Sequence, residues 1–121
     1  MARVNHFEIP VDDATRASKF FSDVFGWQIS QWGDQPYWMA ITGDKTEEGI
    51  SGALVQRTNP PQPVVNTIGV VNLDETIANI RAAGGTIVAD KMVIPTVGFM
   101  VYFLDTEGNM HGAIEMDESA A

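Results

Sequence analysis

The chain has 121 residues, of which 45% are hydrophobic, as is typical of one globular domain. Its 7 basic and 16 acidic residues give a net charge of −9, which argues against binding to nucleic acid or to an anionic membrane surface. Because the chain has no cysteine, disulfides, zinc–thiolate sites and thiol catalysis are excluded. No signal-peptide pattern and no apolar run of membrane-spanning length is present, so we expect a cytoplasmic protein.

The first half of the chain predicts a strand, a helix and three further strands. Residues 4–11 alternate apolar and polar side chains, as a half-buried strand does, and Asp13 follows as a candidate N-cap. Apolar residues then recur at helical spacing over residues 14–25, and Gly26 stands where a glycine commonly ends a helix. The next three strands are predicted at residues 27–32, 37–42 and 50–56.

The second half repeats this order after a proline-rich linker. Three of the six prolines stand in residues 57–63, a stretch that suits neither a central strand nor a helix interior. A strand at residues 65–71 leads into Asn72, which begins a capping-box sequence, and Gly84 and Gly85 end the helix that follows. Further strands are predicted at residues 86–89, 98–104 and 110–116, and the last five residues are expected to fray.

The two halves are copies of one unit. A shift of 59 residues places Asp13 on Asn72 and Gly26 on Gly85, whereas a shift of 60 places Gly52 on Gly112, which implies a one-residue slip in the last strand. We therefore interpret residues 1–121 as a single domain with repeat 1 at about 3–56, a linker at 57–63 and repeat 2 at about 64–116. The predicted fold is α+β, with two tandem βαβββ modules forming a curled mixed sheet around a cavity.

Several stretches together carry a family resemblance. They are His6-Phe7-Glu8-Ile9-Pro10-Val11-Asp12-Asp13, Phe20-Phe21 to Phe25-Gly26-Trp27, Ala83-Gly84-Gly85, and Asp105-Thr106-Glu107-Gly108-Asn109 with Gly112. In this order and spacing the chain resembles the vicinal oxygen chelate superfamily of glyoxalases, bleomycin resistance proteins and extradiol dioxygenases. It is most similar to the small, glyoxalase-related, single-domain branch.

The resemblance implies where a metal would be held. Enzymes of this family take four ligands from the first and last strands of the two modules. The resemblance places these positions at His6, Val65, Gly52 and Gly112, of which only His6 has a ligand atom. Glu8 is the one further donor on the same strand face as His6. We therefore expect a degenerate metal site and no cofactor, with a divalent metal as the alternative.

The candidate site residues follow from the same strands. His6 and Glu8 are predicted catalytic residues, because an imidazole titrates near neutrality and a carboxylate facing a cavity needs a partner. Two aromatic residues are expected to stack on a flat ligand, and the two strand glycines are expected to open the cavity. The predicted ligand-binding residues are His6, Glu8, Trp38, Gly52, Leu54, Thr67, Phe99, Met110 and Gly112.

Three functions are compatible with this pattern. The first is a glyoxalase-like, metal-independent protein that binds a small molecule. The second is a metal-dependent lyase, isomerase or dioxygenase of the same superfamily. The third is a metal-free enzyme in which His6 and Glu8 transfer protons. Whether the chain is an enzyme stays open. The expected partners are an unidentified small molecule and a second copy of the chain in a homodimer, with no nucleic acid and no membrane.

Overall fold

The computed structural model describes residues Ala2–Ala121, which separate into two compact units. The first unit comprises residues 5–64, and the second comprises residues 65–121 together with residues 2–4. The boundary after Val64 lies one residue beyond the predicted proline-rich linker of residues 57–63.

The first unit packs one helix on a mixed sheet. Its sheet has the order β2-β3-β4-β1, in which β1 and β4 are parallel and the other pairs are antiparallel. As predicted, the Asp13 side chain caps the helix by accepting a 3.0 Å hydrogen bond from the Arg16 amide, and Gly26 ends it with a φ of 73°. The elements are β1 (Arg3–Val11), α1 (Ala14–Phe25), β2 (Gln28–Gln31), β3 (Tyr37–Ile41) and β4 (Gly52–Gln56).

The second unit repeats this arrangement with one additional strand. β5 and β9 are parallel, β8 is antiparallel to β9, and both β6 and β7 pair with β8. The predicted cap is confirmed, because the Asn72 side chain accepts a 2.9 Å hydrogen bond from the Glu75 amide. The elements are β5 (Val65–Gly69), α2 (Leu73–Ala82), β6 (Thr86–Ile87), β7 (Met92–Ile94), β8 (Gly98–Leu104) and β9 (Met110–Met116).

Two local features differ from expectation. Strand β7 was not predicted, because a three-residue apolar run followed by Pro95 is too short to show alternation. The C-terminal residues are hydrogen-bonded rather than frayed: the carbonyl of Ala120 accepts from the Thr96 amide at 2.9 Å, and its amide donates to Asp117.

The register confirms the repeat and corrects its last strand. Glu8 pairs with Ala53 in the first unit, and Thr67 pairs with Gly112 in the second. A single shift of 59 therefore relates both strands of each pair, and Gly112 corresponds to Ala53 rather than to Gly52. The α+β class and the two tandem βαβββ modules are confirmed, whereas the one-residue slip is wrong.

Each sheet has one face covered by its own helix, and we call the opposite side its far face. In the first unit Phe7 lies on the helix-covered face, where its ring is 5.8 Å from that of Trp27, which stacks on Phe21 of α1. In the second unit the helix-covered face carries the core formed by Leu73, Val101 and Ala113. Successive side chains of a strand point to opposite faces, and residues paired across neighbouring strands point to the same face. The strand register therefore shows which residues lie on the far face of each sheet.

Candidate functional site

Three polar side chains on the far face of the first unit are hydrogen-bonded together. His6 and Glu8 are alternate residues of β1, and Tyr37 at the start of β3 shares their face through the register of β3, β4 and β1. The His6 Nε2 atom lies 2.6 Å from the Tyr37 hydroxyl, which is also hydrogen-bonded to the Glu8 carboxylate. All three side chains are half-buried.

The hydroxyl hydrogen of Tyr37 fixes the direction of both bonds. A carboxylate accepts hydrogen bonds only, so the Tyr37 hydroxyl donates to Glu8. Since a phenol has one hydrogen, its oxygen must accept from the Nε2–H group of His6. His6 is therefore the Nε2–H tautomer, which leaves Nδ1 as its acceptor nitrogen.

Burial and the Glu8 charge set the protonation of this group. Burial lowers the pKa of His6 below 6.5 and outweighs the opposing attraction of the Glu8 carboxylate, so His6 is neutral at pH 7. Burial, the charge of Glu8 and the hydrogen bond to Glu8 all raise the pKa of Tyr37, which keeps its proton. At neutral pH the group therefore offers a neutral imidazole acceptor beside a phenol and a carboxylate.

An exposed aromatic ring lies next to this polar group. The Trp32 and Tyr37 rings meet edge to face at 5.6 Å, and the Trp32 amide donates to the Tyr37 carbonyl at 2.9 Å. The Trp32 residue is 45% exposed. Neither Tyr37 nor Trp32 was predicted as a site residue, because the pairing of β3 with β4 that brings Tyr37 to His6 has no signature in the sequence.

The structure does not bring the other predicted residues of the first unit to this face. The register of β1, β4 and β3 places three of them on the helix-covered face, together with Phe7. They are Trp38, Gly52 and Leu54. A Cβ atom at Gly52 would lie 2.6 Å from the Phe7 ring, so this glycine permits close packing and opens no cavity. The prediction that these three residues share a face with His6 and Glu8 is wrong, because the parallel register aligns Gly52 with Phe7.

In the second unit the predicted residues are divided between the two faces. Thr67, Met110 and Gly112 lie on the far face. Phe99 instead packs against the core on the helix-covered face, with the Lys91 ammonium 5.3 Å above its ring. The prediction that Phe99 shares a cavity-lining face with Gly112 is therefore wrong.

Thr67 has an unusual environment. It is 1% exposed, and within the described residues its hydroxyl oxygen has no hydrogen-bond partner. A Cβ atom at Gly112 would lie 3.1 Å from this oxygen and 2.7 Å from the Met100 methyl carbon. The absence of a side chain at residue 112 therefore allows the Met100 and Thr67 side chains to lie close to its backbone.

The donor atoms near His6 do not fit a metal site. Over residues 2–121, no three His, Asp or Glu side chains are grouped closely enough to hold an ion. The residue opposite Glu8 on the neighbouring strand β4 is Ala53, whose side chain has no ligand atom. The second histidine, His111, lies in the other unit and pairs with Asp105 at 2.9 Å.

Within the described part of the chain, no helix is long and apolar enough to span a membrane.

Comparison with known proteins assigns the family. Residues 3–42 match a family model described as the N-terminal region of bleomycin resistance-like proteins. A glyoxylase-like domain-containing protein of Didymella fabae is 33% identical, and the alignment covers 90% of each chain. This chain belongs to the glyoxalase-like vicinal oxygen chelate family.

Several solved structures share the fold over nearly the whole chain. A hypothetical protein of Bacillus halodurans C-125 is similar with a TM-score of 0.70 and 13% identity, covering 99% of this chain and 98% of its own. A methylmalonyl-CoA epimerase in complex with methylmalonyl-CoA and NH4+ gives a TM-score of 0.70 at 15% identity, covering 100% and 99%. A methylmalonyl-CoA epimerase from Mycobacterium tuberculosis gives 0.67 at 15% identity, covering 94% and 87%.

Proposed function

We propose that this glyoxalase-like chain is a metal-independent binding protein for a small molecule with a planar ring and a hydrogen-bonding group. The observation that carries the proposal is the hydrogen-bonded set of His6, Tyr37 and Glu8 beside the exposed ring of Trp32. Small-molecule sites combine apolar and aromatic surface with a few convergent polar groups, and this face has both.

The charges of the polar group define the complementary ligand. The neutral His6 ring has Nδ1 as its acceptor, so it favours an N–H or O–H donor on the ligand. The Glu8 carboxylate and the net charge of −9 favour a neutral or positively charged molecule over an anion. The Trp32 ring offers a stacking surface, and a cation there gains further attraction.

The second unit contributes its own candidates. Thr67, Met110 and Gly112 stay predicted ligand-binding residues. The buried Thr67 hydroxyl supports this prediction, because an unpartnered hydroxyl is costly until a ligand or water atom bonds to it.

A metal-dependent lyase, isomerase or dioxygenase is the first alternative. A divalent ion needs several His or carboxylate ligands, and the far face of the first unit supplies only His6 and Glu8 with a phenol. These side chains do not fit a divalent metal ion.

Metal-free proton transfer is the second alternative. The relay from His6 through the Tyr37 hydroxyl to Glu8 favours it, since this arrangement orients the imidazole so that Nδ1 is the basic nitrogen. In that case His6 takes the proton at Nδ1, while Tyr37 and Glu8 stabilise the resulting imidazolium.

Binding of a planar donor molecule tests the main proposal. We expect benzimidazole to shift the NMR signal of the Trp32 indole N–H saturably, and benzoate, an anion of similar size, to bind at least about tenfold more weakly. His6→Gln should weaken benzimidazole binding by about tenfold, whereas the matched change His111→Gln should leave it unaltered. Equal losses in the two variants, or no effect of benzimidazole on Trp32, would contradict the proposed ligand chemistry.

Isotope exchange separates binding from the two enzymatic alternatives. Solved structural neighbours are methylmalonyl-CoA epimerases, so methylmalonyl-CoA is a suitable probe of proton abstraction. In D2O we expect no deuterium at its C2 atom with this protein. Exchange that requires added Co²⁺ would support the metal-dependent alternative. Exchange without metal that is lost in Glu8→Gln would support proton transfer.

We also propose that the chain is a cytoplasmic homodimer. The apolar side chains on the outer surface of α1 support self-association, since a contiguous exposed apolar patch commonly marks an interface. They are Phe20, Val24 and Phe25, each more than half exposed.

A further inference from the structure

A concavity lies between α2 and the helix-covered face of the sheet in the second unit. Its volume is about 340 Å³. We propose that it binds a small, neutral, apolar molecule independently of the His6 site. Its lining residues are Ala2, Ile68, Val70, Thr76, Asn79, Ile80, Ala83, Phe103 and Ala113.

The lining is almost entirely hydrocarbon. None of its residues is charged, and only two carry a polar side chain. The Thr76 hydroxyl is already used, because it donates to the carbonyl of Asn72 at 2.8 Å. The Asn79 amide is therefore the one polar side chain of the lining left to meet a ligand. Such a surface gains free energy by leaving water and penalises a ligand whose polar groups would be buried without partners.

Volume and charge together select the ligand. The concavity is at the lower end of the 300–1,000 Å³ range of small-molecule sites and has room for about eleven water-sized atoms. The net charge of −9 disfavours anionic amphiphiles, and the hydrocarbon lining disfavours cations. A neutral aromatic or branched hydrocarbon group meets all of these conditions.

NMR titration with naphthalene, an apolar ring system that has no hydrogen-bonding group for the His6 site, tests the proposal. We expect saturable binding at one site per chain. The double variant Asn79→Phe/Ala83→Val places larger side chains on two of the lining residues and should weaken binding at least about tenfold. The control Ala78→Phe/Ala82→Val places the same side chains on exposed positions of α2 outside the lining and should bind within about twofold of wild type.

Further measurements make each result decisive. His6→Gln should not change naphthalene binding, so that this proposal and the proposed function fail separately. In the wild-type protein, backbone NMR shifts on binding should centre on Ile68, Val70 and Phe103, a result that does not depend on how the double variant folds. Unsaturable binding, equal loss in both double variants, loss in His6→Gln, or shifts centred elsewhere would overturn the proposal. A change in molecular mass by light scattering in Asn79→Phe/Ala83→Val alone would also overturn it, since the surface would then be an interface between copies.

Discussion

Tyr37 links His6 to Glu8, whose negative charge affects the pKa of His6. Burial lowers the pKa of His6, and the Glu8 charge opposes this effect. Removing the charge with Glu8→Gln should therefore lower the pKa of His6 further, and should also lower the raised pKa of Tyr37. NMR titration of the imidazole signals measures the first change, with His111 of the other unit as the internal reference. A rise in the pKa of His6, or an equal change at His111, would contradict the arrangement.

The lowered pKa of His6 has a consequence for stability. Between the folded pKa and 6.5 the unfolded chain binds more protons at this residue than the folded one does. The contribution of neutral His6 to stability is therefore present above pH 6.5 and is lost as the pH falls through its folded pKa. In Glu8→Gln this window should extend to lower pH, as thermal melts across the acid range would show.

The unpartnered hydroxyl of Thr67 is a liability in the free protein. Valine has the same shape without the polar atom, so Thr67→Val should raise the free energy of unfolding by about 1–2 kcal/mol. Urea denaturation measures this change, and Thr86→Val at an exposed strand position should stay within about 0.5 kcal/mol of wild type. A loss of stability in Thr67→Val would show that the hydroxyl is hydrogen-bonded in solution, for instance to water.

At the scale of elements, the sequence predicts what is encoded locally. Asp13 and Asn72 were recognised as N-caps, and Gly26 as a helix stop, because each acts through bonds to residues a few positions away. The pairing of Glu8 with Ala53 joins strands separated by a helix and two further strands. Nothing local fixes that register, and an error of one residue reverses every side chain of a strand. This is why Gly52 was predicted on the wrong face and the candidate site was only partly predicted.

The two strand glycines provide a test of this register. A Cβ atom at Gly52 would meet the ring and the backbone of Phe7, neither of which moves easily, so Gly52→Ala should cost about 1–3 kcal/mol of stability. At Gly112 the nearest atom is the end of the flexible Met100 side chain, so Gly112→Ala should cost less than about 1 kcal/mol. Chemical denaturation of both variants measures the difference. Equal costs would contradict the opposite placement of the two glycines.

At the scale of the whole molecule, two properties act against each other. Each copy carries a net charge of −9, which repels a second copy, whereas the outer surface of α1 exposes apolar side chains that gain from being covered. Repulsion between exposed charges is screened by salt, and the apolar contribution is not weakened by it. The proposed homodimer should therefore strengthen as salt is added.

Sedimentation velocity measures how the dimer fraction depends on salt. Between about 0.02 M and about 0.5 M NaCl, the dimer fraction at fixed protein concentration should increase as the Debye length shortens. Val24→Glu places a charge within the apolar surface of α1 and should abolish the dimer at both salt concentrations, because an unpaired charge is costly to bury. Val71→Glu adds the same charge at a residue that is 84% exposed, and the dimer should re-form as salt screens it. If both variants recover equally in salt, only net charge opposes association and the α1 surface is not the interface.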